Sequence, residues 1–282
     1  MQTKNKIGFI GQGWIGKNYA LDFIDRGFDV VRYAKEPEYE GNKDALSLCD
    51  IIFIAVPTPT TPSGFDFSII QNVLALVPKG ATAVIKSTII PGTTQFLQKM
   101  FPDIYVMHSP EFLTEVTARQ DASHPERNIV GIPEQTDVYV RKAEEVLAVL
   151  PSAPFSKIMD STAAEFVKYA GNNLFFAKVV FMNTLFDLAT AYGLDWSVIK
   201  ESLAADPRIG STHLDPVHKT GRGAGGNCFI KDFKAFEDLY VEKVGDEKGV
   251  AFLEAMEAKN IELLKSTHKD LDLLRGVYGE KI

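Results

Sequence analysis

Short apolar runs alternate with stretches of helical period through the first half of the chain. Residues 7–10 read as a strand, and a helical pattern follows through Arg26. Residues 29–33 form a second strand. The third, residues 51–56, is apolar throughout, as expected of a strand buried on both faces. Residues 83–86, 104–107 and 128–132 continue the series, and a helix over 134–150 follows. Strands alternating with helices predict an α/β fold with a Rossmann-like, doubly wound, mostly parallel sheet. Cys49 precedes the third strand and is expected in the core.

The character changes after Pro151-Ser152-Ala153-Pro154. One helical pattern runs over 161–192, and Thr162 with Glu165 has the spacing of a capping box at its start. The rest reads as helical, with a loop over 207–226 and a charged helix over 254–274. A domain of residues 1–155 and a mainly helical domain of residues 156–282 are expected. The stretch 175–188, with Phe175, Phe176, Phe181 and Phe186, suits either a dimer core or burial within one subunit.

Composition narrows the function classes. The 282 residues are 45% hydrophobic and 24% charged, an ordinary globular balance for about two domains. A net charge of −7 argues against a nucleic-acid-binding surface. No apolar run approaches the ~20 residues that span a bilayer, and the immediate first strand leaves no visible signal peptide, so no membrane is expected. Two cysteines form no disulfide framework and fit a reducing cytoplasm. His108, His124, His213, His218 and His268 have no metal-ligand spacing, and no metal is expected.

Gly11-Gln12-Gly13-Trp14-Ile15-Gly16 is a G-x-G-x-x-G that follows a strand and opens a helix. In that context the glycines permit a tight turn and bring a pyrophosphate to the helix N-terminus. The second strand ends Arg32-Tyr33-Ala34-Lys35-Glu36, with no acid at the usual ribose-binding place. Glu36 could reach the ribose, or Arg32 and Lys35 could hold a 2′-phosphate, which leaves NAD and NADP both open.

Cys228 follows the cluster Gly223-Ala224-Gly225-Gly226-Asn227 and precedes Asp232 by four residues. The glycines would let a substrate approach the backbone. A helix starting near Asn227 would favour the thiolate at Cys228 and place Asp232 on the same face. A Gly-rich turn followed by a buried small hydrophobe is the alternative.

Together the motifs resemble the UDP-glucose/GDP-mannose dehydrogenases, which oxidise C6 of a nucleotide-linked sugar from alcohol to carboxylate. The match includes the Gly11 loop, Val56-Pro57-Thr58-Pro59 with Gly64 and Asp66, and Lys86-Ser87-Thr88 with Pro91-Gly92-Thr93-Thr94. It continues through Ser109-Pro110-Glu111-Phe112-Leu113, Pro125-Glu126-Arg127, and Ala164-Glu165-Phe166-Val167-Lys168-Tyr169 with Asn172. Asp206-Pro207-Arg208-Ile209-Gly210 and Gly225-Gly226-Asn227-Cys228 with Lys231-Asp232 complete it.

The resemblance implies Cys228 as nucleophile, with Lys168, Asn172 and Asp232 as its polar cluster and Thr88 and Glu111 handling water and protons. It implies dinucleotide contacts from Gly11, Gly13, Trp14, Ile15, Gly16, Val56, Pro57, Thr58, Thr88, Glu115 and Lys231. NAD is favoured on this ground. Glu111, Phe112, Leu113, Thr114, Lys168, Asn172 and Gly225 would meet the nucleotide-sugar substrate, and Arg208 would reach a neighbouring subunit's substrate site in a homodimer. Full-length relatives carry a third, C-terminal domain that grips the nucleotide, and this chain stops where it would begin, so a short form is expected. Ala224 stands where the family usually has Phe.

The chemistry wants such groups. An aldehyde gives up a second hydride readily only after a nucleophile adds to its carbon, and a thiolate can add to form a thiohemiacetal and then a thioester. Each oxyanion needs a donor, which Lys168 and Asn172 could supply from one helical face. Asp232 or Glu111 could act as base. Two other readings remain: an NAD(P)-dependent hydroxy-acid dehydrogenase with one-step hydride transfer, which needs no thiol, and a non-catalytic NAD-binding remnant that works with a partner.

Overall fold

The computed structural model describes residues 5–280. They form two compact units, one of the residues up to Thr58 with Asp66–Lys168, the other of Pro59–Phe65 with the described residues from Tyr169 on.

Unit 1 opens with β1 (Ile7–Ile10), α1 (Trp14–Asp25), β2 (Val30–Tyr33), α2 (Pro37–Glu40), a 3₁₀ turn over Asp44–Leu48, and β3 (Ile51–Ile54). The hairpin β4 (Thr60–Thr61) and β5 (Gly64–Phe65) that follows belongs to unit 2. Unit 1 resumes with α3 (Ser68–Leu74), β6 (Thr82–Ile85), α4 (Thr93–Met100), β7 (Tyr105–His108), α5 (Ala118–Ser123), β8 (Arg127–Ile132), α6 (Asp137–Val149) and β9 (Phe155–Asp160).

The sheet has the order β2-β1-β3-β6-β7-β8-β9. Its pairings are parallel except that of β7 with β8. Phe9 stacks on Phe53 at 5.0 Å, and the edge of Phe23 closes on both, so β1, β3 and α1 share one aromatic core. The α/β class and the predicted strands are all present.

The sheet runs further than the apolar pattern suggested. The mainly helical domain is expected from residue 156, yet β9 pairs with β8 along its whole length, from Phe155 to Asp160. Its position at the sheet edge explains why: Phe155, Ser156 and Lys157 are exposed, so the strand has no apolar run to announce it.

Helix α7 (Ser161–Ala191) begins in unit 1 and continues into unit 2. The expected capping box does not form. Asp160 caps the helix instead, its Oδ1 accepting from the backbone N–H of Thr162 and Ala163 at 2.9 and 3.3 Å. Glu165 is fully buried and turns to the start of α4, accepting from the N–H of Gly92 at 2.5 Å and of Thr94 at 2.7 Å. The Thr94 hydroxyl donates a third bond.

Against the expectation from apolar runs, α7 is long and apolar enough, by length and composition, to cross a membrane, and 33% of its most apolar window is buried. It is apolar on two sides. Phe176, Val179 and Val180 pack into the core of unit 2 with Phe233 and Leu253. Leu174, Phe181 and Leu188, spaced by seven, are exposed. Phe176 stacks on Phe233 at 3.8 Å, and the edge of Phe186 meets Trp196, so these two rings of the Phe-rich stretch serve unit 2 itself.

Unit 2 continues with α8 (Trp196–Ala204), the hairpin β10 (Val217–His218) and β11 (Gly221–Arg222), α9 (Gly226–Lys243), α10 (Glu247–Ser266) and α11 (Leu271–Tyr278). The single charged helix expected over 254–274 is two helices. Asp246 caps α10 through the N–H of Gly249, and the chain breaks before α11 where His268 and Asp270 each take φ 54°.

Candidate functional site

The Gly11 loop has three glycines with three different reasons. Gly11 takes φ +91°, and a Cβ there would overlap the carbonyl of Ala55. A Cβ on Gly16 would overlap the carbonyl oxygen of Gly11, so this glycine lets α1 close on the loop. Gly13, the N-cap of α1, would direct a Cβ into open space. That is the place where a pyrophosphate meets the helix N-terminus, so the loop fits a dinucleotide. Trp14 beside it is 53% exposed. Val56 is half-buried and Pro57 exposed, while buried Thr58 donates its hydroxyl to the carbonyl of Thr88 at 2.8 Å.

At the end of β2, Arg32 is engaged within the unit. Its Nε donates to Gln12 Oε1 at 2.6 Å and its Nη2 to the Tyr39 hydroxyl at 2.7 Å. Lys35 and Glu36 are exposed.

Unit 1 holds a buried acid–base group. Lys168 Nζ lies 2.8 Å from Glu111 Oε1, with both side chains under a tenth exposed. The second oxygen of Glu111 accepts from the N–H of Leu113 at 2.8 Å. Thr88 is buried at the C-terminal end of the sheet, beyond β6. Phe112 lies under the guanidinium of Arg127 at 3.7 Å, with the Lys168 ammonium at 5.8 Å from the ring. The N–H of Thr114 is given to Asp121 at 2.7 Å; Thr114 and Glu115 are exposed.

Sequence reasoning assigned no role to Lys86, which follows β6 and is only 3% exposed. Its ammonium donates to Ser109 Oγ at 3.1 Å and sits 4.3 Å from the centre of the Tyr19 ring. Burial pushes it down to about 7, with Glu111 opposing and Lys168 adding to the shift. The signal was present, since Lys86 directly follows the apolar run Ala83-Val84-Ile85 of an interior strand, which leaves it no solvent on either face.

Unit 2 holds the thiol. Cys228 is exposed in the first turn of α9, whose N-cap is Gly225. One turn later Asp232 is 1% exposed. Its Oδ2 accepts from Asn172 Nδ2 at 2.6 Å and its Oδ1 from Lys231 Nζ at 2.5 Å. The helix start and the Cys228–Asp232 spacing are as expected, and Asn172 meets Asp232 across 60 residues of chain. Cys49, by contrast, is buried, and burial pushes its thiol up to about 11.

Of the glycines ahead of Cys228, Gly226 faces open space at φ +79°, whereas Gly221, Gly223 and Gly225 are pressed against protein. A Cβ on Gly221 would overlap Thr267 Oγ1, and one on Gly225 would overlap the Asp270 carboxylate. Arg208 is 88% exposed and its guanidinium pairs with Asp206 at 2.6 Å. Among the described residues, no group of three or more His, Cys, Asp or Glu is placed to hold a metal ion.

Two family models match the chain: the NAD binding domain of the UDP-glucose/GDP-mannose dehydrogenase family over residues 38–149, and that family's central domain over 162–261. The Gly11 loop precedes the first match and is read from its own geometry. The UDP-glucose 6-dehydrogenase of Rickettsia conorii is 31% identical over 204 residues, covering 69% of this chain and 45% of that protein. UDP-glucose 6-dehydrogenase AglM of Haloferax volcanii is 28% identical over 281 residues, covering 82% of this chain and 64% of that protein. A solved UDP-glucose dehydrogenase from the archaeon Pyrobaculum islandicum matches with a TM-score of 0.79 at 27% identity, covering 92% of this chain and 68% of that one. The chain therefore spans 45% and 64% of the lengths of the two curated relatives named.

Proposed function

This chain belongs to the UDP-glucose/GDP-mannose dehydrogenase family, and on that premise we propose that it oxidises the C6 alcohol of a UDP-glucose-like nucleotide sugar to the carboxylate. The observation that carries this reading is the exposed Cys228 in the first turn of α9, one turn ahead of a buried Asp232 held by Asn172 and Lys231. A one-step alcohol oxidation has no use for a thiol. A two-step oxidation does, because the aldehyde must be held covalently before it is oxidised again.

In this proposal the Cys228 thiolate adds to the aldehyde carbon, and the thiohemiacetal becomes a thioester that water hydrolyses. Lys168 and Asn172 donate to the successive oxyanions. Glu111 exchanges protons through the Lys168 pair, with Thr88 ordering water, and Asp232 acts as base or holds Asn172 in place. Phe112, Leu113 and Thr114 line the sugar nucleotide. NAD, held at the Gly11 loop, supplies the hydride acceptor when bound. NAD rather than NADP is favoured because Arg32 is already committed to Gln12 and Tyr39.

We further propose a homodimer that covers the exposed stripe of Leu174, Phe181 and Leu188, working in a reducing cytoplasm that keeps Cys228 a thiol. Sedimentation of a Phe181→Lys variant tests this: a wild type that sediments as a monomer removes the dimer.

The enzymatic test is cofactor stoichiometry. Purified protein meets NAD or NADP with a panel of UDP- and GDP-sugars, beside a Cys228→Ser control. Two reduced cofactors per sugar, lost in the control, are expected. One reduced cofactor per substrate, unaffected by the substitution, overturns the covalent scheme, and silence across the panel with dinucleotide binding intact overturns the activity.

A further inference from the structure

The Gly-rich loop before Cys228 is bound by α10 and by the turn that joins it to α11. Asn260 clamps Ala224 from both sides, its Oδ1 accepting from the Ala224 N–H at 2.7 Å and its Nδ2 donating to the Ala224 carbonyl at 3.0 Å. Thr267 Oγ1 accepts from the N–H of Arg222 at 3.0 Å. Lys269, only 5% exposed, donates to the carbonyls of Gly223 at 2.9 Å and Gly221 at 3.3 Å. Asp270 Oδ2 accepts from the N–H of Gly226 at 2.7 Å, the first residue of α9 and two before Cys228.

These bonds explain the loop's composition. Gly223 takes φ +86°, and a Cβ there would press on Asn260, Leu263 and Leu264 at 3.0 to 3.1 Å. Gly221 and Gly225 have no room for a Cβ against Thr267 and Asp270. The turn itself is unusual, with His268 and Asp270 in the left-handed region. On the far side of the loop, Arg222 bonds Asn183 at 2.8 Å and Asp187 at 2.6 Å on α7.

We propose that the α10–α11 turn is a positioning latch for the nucleophile: Lys269 and Asp270, with Asn260, fix the Gly-rich loop and the first turn of α9, and thereby set where the Cys228 thiol stands. The inference rests on the proposed role of Cys228. Lys269 and Asp270 are positioning residues and act through the loop. An ammonium enclosed by two backbone carbonyls ties its charge to the loop's shape. Burial and Lys219 hold Lys269 below the ordinary lysine range, and Asp270 opposes that shift. The Asp270 bond also satisfies the Gly226 amide and so fixes the backbone at the start of α9, whose first turn carries Cys228.

The test reads the thiol directly. The full chain, without substrate or dinucleotide, is alkylated with iodoacetamide over a pH series, and the rate at Cys228 is followed by peptide mass. Asp270→Gly removes the acceptor and suits the left-handed backbone, Lys269→Met removes the ammonium at similar volume, and Asp270→Asn keeps an acceptor. Asp270→Gly and Asp270→Asn remove the same negative charge, so the difference between them reports the hydrogen bond alone: the midpoint of the Cys228 rate profile is expected to lie about half a unit higher in Asp270→Gly than in Asp270→Asn, and to rise above wild type in Lys269→Met. A merely structural latch would lower the melting temperature and leave that midpoint alone. A folded Asp270→Gly protein with the same midpoint as Asp270→Asn overturns the proposal, as does a folded Lys269→Met protein with the wild-type midpoint. Should Lys269→Met not fold, the comparison of Asp270→Gly with Asp270→Asn decides. The readout needs no turnover, so a chain that oxidises no nucleotide sugar loses the proposed function while this test still stands.

Discussion

Lys168 and Glu111 form an ion pair at 2.8 Å in which neither side chain is more than 8% exposed. The pair is local to unit 1, where α7 brings the lysine to the loop after β7. Taking both charges out of water is costly, and the pair survives because each end is satisfied. Glu111 holds the Leu113 amide as well as the ammonium.

Removing one partner leaves a buried charge alone. Lys168→Met and Glu111→Gln are each expected to lower stability by about 3 kcal/mol, and the double variant by clearly less than the sum. Urea unfolding of the four proteins measures this cycle. Additive losses would mean that the two groups do not depend on each other.

The Gly11 loop separates folding from ligand binding. Gly13→Ala places its Cβ in open space and should leave the melting temperature unchanged while weakening dinucleotide binding at least about tenfold. Gly16→Ala drives its Cβ into the Gly11 carbonyl and should cost at least about 2 kcal/mol of stability. Thermal melts read the first quantity, and Trp14 fluorescence, from a ring 53% exposed beside the loop, reads the second. Tight dinucleotide binding by Gly13→Ala would move the pyrophosphate elsewhere.

Glu165 gives stability a defined pH dependence. Burial pushes its carboxyl up to about 7, against the pull of the donors from Thr94 and Gly92. The folded value is above the unfolded one, so the folded state binds this proton more tightly. That contribution is complete below about 4.5 and is lost as pH rises through about 7. Relative to Glu165→Gln, wild type should lose on the order of 3 kcal/mol across this window. Parallel melts of the two proteins over the range would contradict the assignment.

Features set by neighbouring residues were legible in the sequence. The turn after β1, the helix start at Gly226 and the Cys228–Asp232 spacing depend on backbone freedom and helical period, which a local stretch carries. Features set by distant partners were not. Glu165 has the spacing of a cap, and only the approach of Gly92 and Thr94, over 70 residues away in sequence, redirects it. β9 gained its strand from β8 rather than from its own apolar content. The break after α10 sits at His268 and Asp270, residues whose left-handed backbone no glycine signalled. The glycines before Cys228 were legible as a tight approach, but what approaches Gly221, Gly223 and Gly225 within unit 2 is the chain's own α10 and the turn after it, while Gly226 faces open space.

The two thiols should differ sharply in reactivity. Cys49 is buried, with its thiol pushed up to about 11, and its Sγ lies 3.8 Å from the Ala45 carbonyl. Cys228 is exposed within the first turn of α9, where the helix dipole favours the thiolate. Near neutral pH a disulfide reagent such as dithionitrobenzoate should therefore label one equivalent quickly, at Cys228. Cys49 should react at least about 100-fold more slowly, mainly after unfolding, since both its thiolate fraction and its access are small. Cys228→Ser should abolish the fast phase without moving the melting temperature, because the side chain supports no core. A fast phase that persists in Cys228→Ser would place the accessible thiol at Cys49, and the nucleophile would then have to be sought outside α9.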